Sequence, residues 1–379
     1  WLKFWFSVLS CCLMRYFPLL LALARTVLAG AWAWRRRDGL DPLQPTCERV
    51  YDDFADLAGV RVVAVVFFGR QEYVEILNPY LERALKKHGG VLDAVFFILV
   101  KYNVEDAMYL SKLQRRNGAS VYMVPSVQGG SWDQAFGVCT EPDTVYIKLD
   151  DDIVYISETA FAELAREKLR RRFLYVSANV INHGILSAVH SSLAQLRDVR
   201  PTTDGSAWQY HGEVMTEPKY RIEAHTFYSD CVWRRWDCAA FVHEAFLSRL
   251  EDNSSCLFDF GIFDFHAHGF GTRSDLRDNP RYIDFNLNMF SWLGSDFADM
   301  DWEGLAQDDE HEISVKHPQR RGQHAVALGR AVVAHFAFSS QEKGLRDGTT
   351  LFERYKQLSQ DLAGRVAVLH YAGVLQPSP

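Results

Sequence analysis

The chain has 379 residues, 48% hydrophobic and 23% charged, an ordinary globular composition that excludes a disordered or low-complexity protein. Its net charge of −7 is divided unevenly: residues 1–37 carry six basic side chains and no acid, and the remainder carries −13. An acidic body lacks the basic footprint that nucleic-acid binding needs, so no nucleic-acid partner is expected, whereas divalent cations suit it.

Residues 4–34 contain only two charges, Arg15 and Arg25. Residues 16–34 form an apolar run close to the ~20 residues of a bilayer span. Trp32 and Trp34, followed by Arg35 to Arg37, read as an interfacial belt with a charged flank. Residues 1–37 are therefore expected to be a membrane anchor, with an interfacial amphipathic helix as the alternative. The arginines favour holding their side in the cytosol, while the sequon Asn253-Ser254-Ser255 points the other way. None of the seven cysteines stands in a C-x-x-C spacing, so no zinc or redox motif is expected.

Residues 38–59 form a connector. A regular pattern follows over 60–362, with 363–379 as a tail. Arg61 to Phe68 is a continuous apolar run of strand length, closed by Gly69. Residues 71–88 have helical periodicity at Val74, Leu77, Leu81 and Leu85, with Pro79 inside and Gly89-Gly90 as a stop. Val91 to Val100 reads as a second strand, Val104 to Arg116 as a second helix and Ala119 to Val124 as a third strand. Ser131 is expected to cap a short helix, and Thr144 to Leu149 to form a fourth strand. Ser157 is expected to cap a helix running to about Arg170, and Phe173 to Ser177 is a further strand. Residues 230–251 read as a long amphipathic helix, with Val232, Trp236, Ala240, Phe246 and Leu250 on or near one face. Residues 256–300 are aromatic and irregular, with no assigned element. Val326 to Phe338 reads as a strand and residues 350–362 as a closing helix. Alternating strands and helices at this spacing predict an α/β fold, a mostly parallel Rossmann-like sheet with helices on both faces. In such sheets ligands bind outside the carboxyl ends of the strands.

The sharpest chemical feature is Asp150-Asp151-Asp152, set between the apolar β-formers Val145 to Leu149 and Ile153 to Ile156. Three adjacent carboxylates at the end of a buried strand repel unless a cation neutralises them. Alternate residues of an extended segment face one side, so Asp150 and Asp152 are expected to converge on one Mn2+ or Mg2+. Such an ion usually also holds phosphates. A solvated acidic turn is the bland alternative.

Tyr146 to Ile153 (YIKLDDDI), Val176 to Asn182 (VSANVIN), Asp308 to Glu310 and His335 to Phe338 (HFAF) stand in an order that resembles glycosyltransferases of the GT-A fold. More narrowly they are similar to an uncharacterised group of membrane-anchored eukaryotic glycosyltransferase-like proteins, over about residues 60–360. The resemblance implies a nucleotide-binding half (60–180) and an acceptor-binding half (181–362). It implies a nucleotide-sugar donor, a glycan, glycoprotein or glycolipid acceptor, and a Golgi or secretory-pathway location. It makes Asp150 and Asp152 the cation ligands, with His335 completing the shell; a satisfied core histidine is the other reading of His335. It gives the role of general base to Asp309, then Glu310, then Asp308, if the enzyme inverts.

The same resemblance places the nucleoside at the end of the first strand, at Phe67, Phe68, Gly69 and Arg70, where the guanidinium suits a phosphate. Asn103, Lys148 and Asp151 join this donor set. Trp292, Asp296 and His266 are expected on the acceptor side, an aromatic face beside polar groups being a common way to hold a sugar. His266 and His268 also have ligand-like spacing. Gly129-Gly130-Ser131 opens a helix but matches no phosphate-loop motif. A non-catalytic carbohydrate- or nucleotide-binding protein on the same fold, and a metal-dependent phosphatase, remain as alternatives.

Overall fold

A computed structural model describes residues 54–99, 103–125, 136–192, 199–201, 208–210, 213–215, 234–251, 258–266, 285–300 and 309–371. The expected anchor and connector to residue 53, the helix at Ser131, Val232, His268 and Asp308 lie outside them. Among the described residues no helix is long and apolar enough to cross a membrane.

The strands are β1 (Arg61–Phe68), β2 (Ala94–Leu99), β3 (Val121–Pro125), β4 (Thr144–Asp150), β5 (Ile153–Ile156) and β6 (Tyr175–Ile181), then β7 (Val199–Pro201), β8 (Trp208–Tyr210), β9 (Glu213–Met215), β10 (Ile262–Asp264), β11 (Met289–Leu293) and β12 (Ala325–His335). The helices are α1 (Gln71–Ala84), α2 (Val104–Asn117), α3 (Ala160–Leu169), α4 (Gly184–Ser192), α5 (Trp236–Glu251), α6 (Ser339–Gly348) and α7 (Leu351–Tyr371). A further helical segment, 309–321, contains a π-helical turn, Glu312–Lys316.

Nine strands form one sheet in the order β10-β12-β6-β11-β4-β1-β2-β3, with β5 paired to β12 off that path. Strands β12, β6, β4, β1, β2 and β3 run one way; β11, β10 and β5 run against them. The sheet is thus mostly parallel, as expected, but mixed in its middle. Strands β7 to β9 pair separately in a small antiparallel sheet.

Residues 62–68 of β1 and all of β6 are buried, which requires cover on both faces and explains their unbroken apolar runs. Helix α3 packs on β4, β6, β11 and β12, and α1 packs against β5 and α7. A second apolar core gathers Tyr73 and Ile76 of α1 with α5, α7 and the end of β12.

Two expectations are corrected. Residues 256–300 are not irregular throughout: β11 inserts between β4 and β6 at the centre of the sheet. Its five residues carry no alternation, because both faces are buried, and antiparallel pairing needs no crossover helix to announce it. Ser157 does not cap a helix. Its hydroxyl has no hydrogen-bond partner, and α3 begins three residues later at Ala160. Asp309 and Glu310 open a helical segment, which agrees with carboxylates favouring the first turn of a helix.

Candidate functional site

Strands β1, β2 and β3 step outward in sequence, and β4 then returns to the other side of β1. Where strand order reverses, the two connections leave in opposite directions and open a crevice outside the carboxyl ends. The last rung of the β1–β4 pair sets Phe67 beside Asp150. The acidic cluster therefore stands at the mouth of that crevice.

The three aspartates part company because β4 stops at Asp150, the chain turns, and β5 starts at Ile153. Asp151 points back to the β1–α1 turn. It accepts from the Gly69 backbone N–H at 2.9 Å and from Arg70 Nη2 at 2.5 Å. The approach is close: a Cβ at Gly69 would lie 3.3 Å from Asp151 Oδ2, so a side chain there would require the carboxylate to give by a few tenths of an ångström. Asp152 turns inward to His335, with Nε2 3.5 Å from Oδ2. The β5–β12 register slips at His335, where β5 carries Val154 as an extra residue. Such a bulge re-aims a side chain, and here it affects the histidine. Oxygens of Asp150 and Asp152 and a ring nitrogen of His335 all lie within 4.8 Å of one another. The convergence expected of Asp150 and Asp152 is thus made by a turn, not by an extended strand.

Asp150 is held by Lys148 Nζ and by Asn288 Nδ2, the latter at 2.9 Å. Lys148 shares the facing of Asp150, as period-two alternation requires, and also donates to the Leu287 carbonyl at 2.5 Å. Asp152 shares Arg70, 2.8 Å from Oδ2, with Asp151. Its buried Oδ1 has no hydrogen-bond partner. An orphaned, buried carboxylate oxygen beside a second carboxylate and an imidazole is a donor set that fits a divalent cation.

These groups line a cavity of about 500 Å3 together with Asp309, Glu310, Asn286 and Phe338. Five carboxylates face it (Asp150, Asp151, Asp152, Asp309 and Glu310) against two fixed cations, Arg70 and Lys148. The formal excess of negative charge favours a cation over a bare phosphate in this cavity.

Burial pushes the Asp151 carboxyl up to about 6, and the charge of Asp152 adds to this beyond what Arg70 offsets. Burial acts the same way on Asp152, but His335 and Arg70 outweigh it and hold that carboxyl below its ordinary range. Glu310 is pushed up to about 7 by burial first, against the pull of Lys148, with Asp309 and Asp150 adding repulsion. Its Oε1 accepts from Asn286 Nδ2 at 2.9 Å, and Asn286 is oriented in turn by the Gly184 N–H on its Oδ1 at 3.2 Å.

The cavity thus brings together Asp150, Asp151, Asp152, His335, Gly69, Arg70, Lys148, Asp309 and Glu310. Other expected residues are placed elsewhere. Of the two phenylalanines expected there, Phe67 lines the cavity and Phe68 is buried in the core against Phe97, because adjacent residues of a strand face opposite sides. Asn103 caps α2 in a reciprocal pair with Asp106 and lies in a neighbouring shallow groove. The acceptor-side expectations are corrected. Trp292 is fully buried on β11, stacked on Tyr146 at 5.5 Å, with Nε1 donating to the Cys139 carbonyl. Asp296 pairs with buried Lys168 at 2.8 Å. His266 is buried, donates through Nε2 to the Ser314 carbonyl and accepts at Nδ1 from the Ala325 N–H, which leaves no nitrogen for a ligand. Burial pushes it down to about 4.

Asn286 and Asn288 went unnoticed in the sequence. The signal was present: in Phe285-Asn286-Leu287-Asn288-Met289 the polar residues alternate with apolar ones, so both amides emerge on one side of an extended segment.

No protein-family model matches the sequence, and no curated protein does. Among solved structures, the chain is similar to a 4-diphosphocytidyl-2C-methyl-D-erythritol synthase from Anaerococcus prevotii (13% identity over 34% of this chain and 58% of that one, TM-score 0.25). It is also similar to GalNAc-T7 with UDP, GalNAc and Mn2+ (13%, 74% and 45%, TM-score 0.39) and to a mycobacterial protein (10%, 84% and 80%, TM-score 0.40). The chain spans about half the length of the first two. Likenesses of this size carry no argument about chemistry.

Proposed function

We propose that this chain is a cation-dependent glycosyltransferase, moving a sugar from a nucleotide-sugar donor to a hydroxyl acceptor on a glycan, glycoprotein or glycolipid. The observation that carries the reading is the convergence of Asp150, Asp152 and His335 at the carboxyl ends of β1 and β4, in one cavity with Glu310. The ordered motif resemblance stands beside it.

Asp150, Asp152 and His335 would hold Mn2+ or Mg2+, which when bound supplies positive charge to the diphosphate of the leaving nucleotide. Arg70, anchored on Asp151, Asp152 and Glu342, adds a second positive charge at the end of β1. Phe67 offers an apolar wall there. Glu310, its carboxyl pushed up to about 7, accepts the proton of the acceptor hydroxyl. Asn286 fixes one of its oxygens. We place Glu310 before Asp309 as the base on its raised pKa and its hydrogen bond with Asn286. Membrane attachment through residues 1–37 in the secretory pathway is part of the proposal on sequence grounds. The disulfide at Cys238 fits that oxidising compartment.

Thermal unfolding with Mn2+ and UDP-, GDP- or CDP-sugars, followed by product analysis, tests the reading. The expected result is stabilisation by one nucleotide sugar only in the presence of Mn2+, with sugar transfer or slow sugar-nucleotide hydrolysis. Asp150→Asn with Asp152→Asn should abolish both. Unchanged turnover in that double variant would sink the cation reading. Phosphate release from a monoester without sugar transfer would point to a phosphatase instead, and cation-dependent binding with no turnover to a binding protein.

A further inference from the structure

His335 closes β12, and its ring is held from behind. Nδ1 lies 3.3 Å from the backbone carbonyl of Asn182. A carbonyl only accepts, so Nδ1 carries the proton and donates. With Nδ1 so engaged, Nε2 is the nitrogen on the Asp152 side, where that carboxylate favours its proton while no ion is bound and where it gives its lone pair to an ion once that proton leaves. Asn182 follows β6 directly and has φ of 61°, the left-handed region, which Asn tolerates better than most other non-glycine residues.

The side chain of Asn182 locks that conformation. Nδ2 donates to the Phe336 carbonyl at 3.0 Å and to Gln341 Oε1 at 3.1 Å. Gln341 Oε1 also accepts from the Phe338 N–H at 3.1 Å. One amide thus ties the end of β6 to the residue after His335 and to the first turn of α6. The Phe336 carbonyl is braced again by His243 Nε2 at 2.9 Å. Asn182 makes these bonds while its own Oδ1 is buried without a protein partner.

We propose that Asn182 is the positioning residue of the cation site: its locked backbone aims the carbonyl that holds His335 in the Nδ1–H tautomer and directs Nε2 at the ion. The proposal rests on the cation reading above. Groups of this kind orient metal-binding histidines, and their loss typically costs about 10- to 100-fold in metal affinity.

Two readouts test it on the purified chain: Mn2+ affinity by electron paramagnetic resonance, and the 1H–15N tautomer pattern of His335 in metal-free protein at pH 9, assigned with His335→Gln. Wild type should show the Nδ1–H form. Asn182→Gly keeps access to positive φ and removes the amide. It should weaken Mn2+ about tenfold and blur the tautomer into a mixture. Gln341→Leu removes an acceptor of the same amide and should give a smaller loss of the same kind. A folded Asn182→Gly with unchanged affinity and an unchanged Nδ1–H pattern overturns the proposal. If Asn182→Gly does not fold, Gln341→Leu decides on both readouts. If wild type binds no Mn2+, the cation reading fails, while the metal-free tautomer pattern still decides whether Asn182 positions His335.

Discussion

Asp151 accepts from the Gly69 N–H at 2.9 Å and from the Arg70 guanidinium at 2.5 Å, which ties the β4–β5 turn to the β1–α1 turn. The middle aspartate is therefore a structural anchor, and the two that flank it face the candidate ion. Asp151→Ala removes the acceptor shared by the Gly69 N–H and Arg70, while Asp152 and Glu342 still pair the half-buried guanidinium. It should lower the stability of the metal-free protein by about 1–2 kcal/mol, read by urea unfolding. Asp150→Asn, which keeps an acceptor for Lys148, should cost much less. Equal losses in the two variants would erase the distinction.

Glu310 couples stability to pH. Its folded pKa of about 7 lies above the ordinary 4.5, so the folded state binds more protons between those values. Stability then falls as pH rises from about 4.5 to 7, and the cost is complete above 7. Glu310→Gln should stabilise the protein at pH 8 by roughly 1–3 kcal/mol and leave it unchanged at pH 4. If Glu310 is the base, the same variant should lose transfer by at least about 100-fold. The wild-type rate should also decline as pH drops below 7. A variant as active as wild type would remove Glu310 from the chemistry.

Trp292 offers a test of its placement. Fully buried and stacked on Tyr146, it should cost about 3–5 kcal/mol when changed to alanine. Mn2+ affinity per folded molecule should not move. A stable Trp292→Ala protein with a raised acceptor KM would restore it to the acceptor side.

Cation removal should be visible without any substrate. Mn2+ at about 100 times its dissociation constant should add about 2.7 kcal/mol of stability, reversed by chelation. His335→Ala and Asp152→Asn should each abolish the increment. An increment that survives both would place the ion elsewhere.

The strand β1 was legible to the residue because a parallel strand buried on both faces writes itself as an unbroken apolar run. The acidic turn was legible for the complementary reason: three charges against such a run have few structural explanations. β11 was not, since a short antiparallel strand filling a gap in a sheet leaves neither alternation nor a following helix. Phe67 and Phe68 differ by one position, and only the β1–β4 register says which of them meets the cavity.

By itself the sequence determined the α/β class, the position of Asp150 to Asp152 after the fourth strand, and a set of candidate polar residues. Only the tertiary structure decided which candidates meet. Asp152 and His335 are 183 positions apart, and what joins them is the pairing of β5 with β12 and the slip in its register. Trp292, Asp296 and His266 looked equally suited to a site, yet each is used up by core contacts. A residue type fixes what a side chain can do. Long-range pairing and burial fix what it faces, and those depend on contacts that no local window contains.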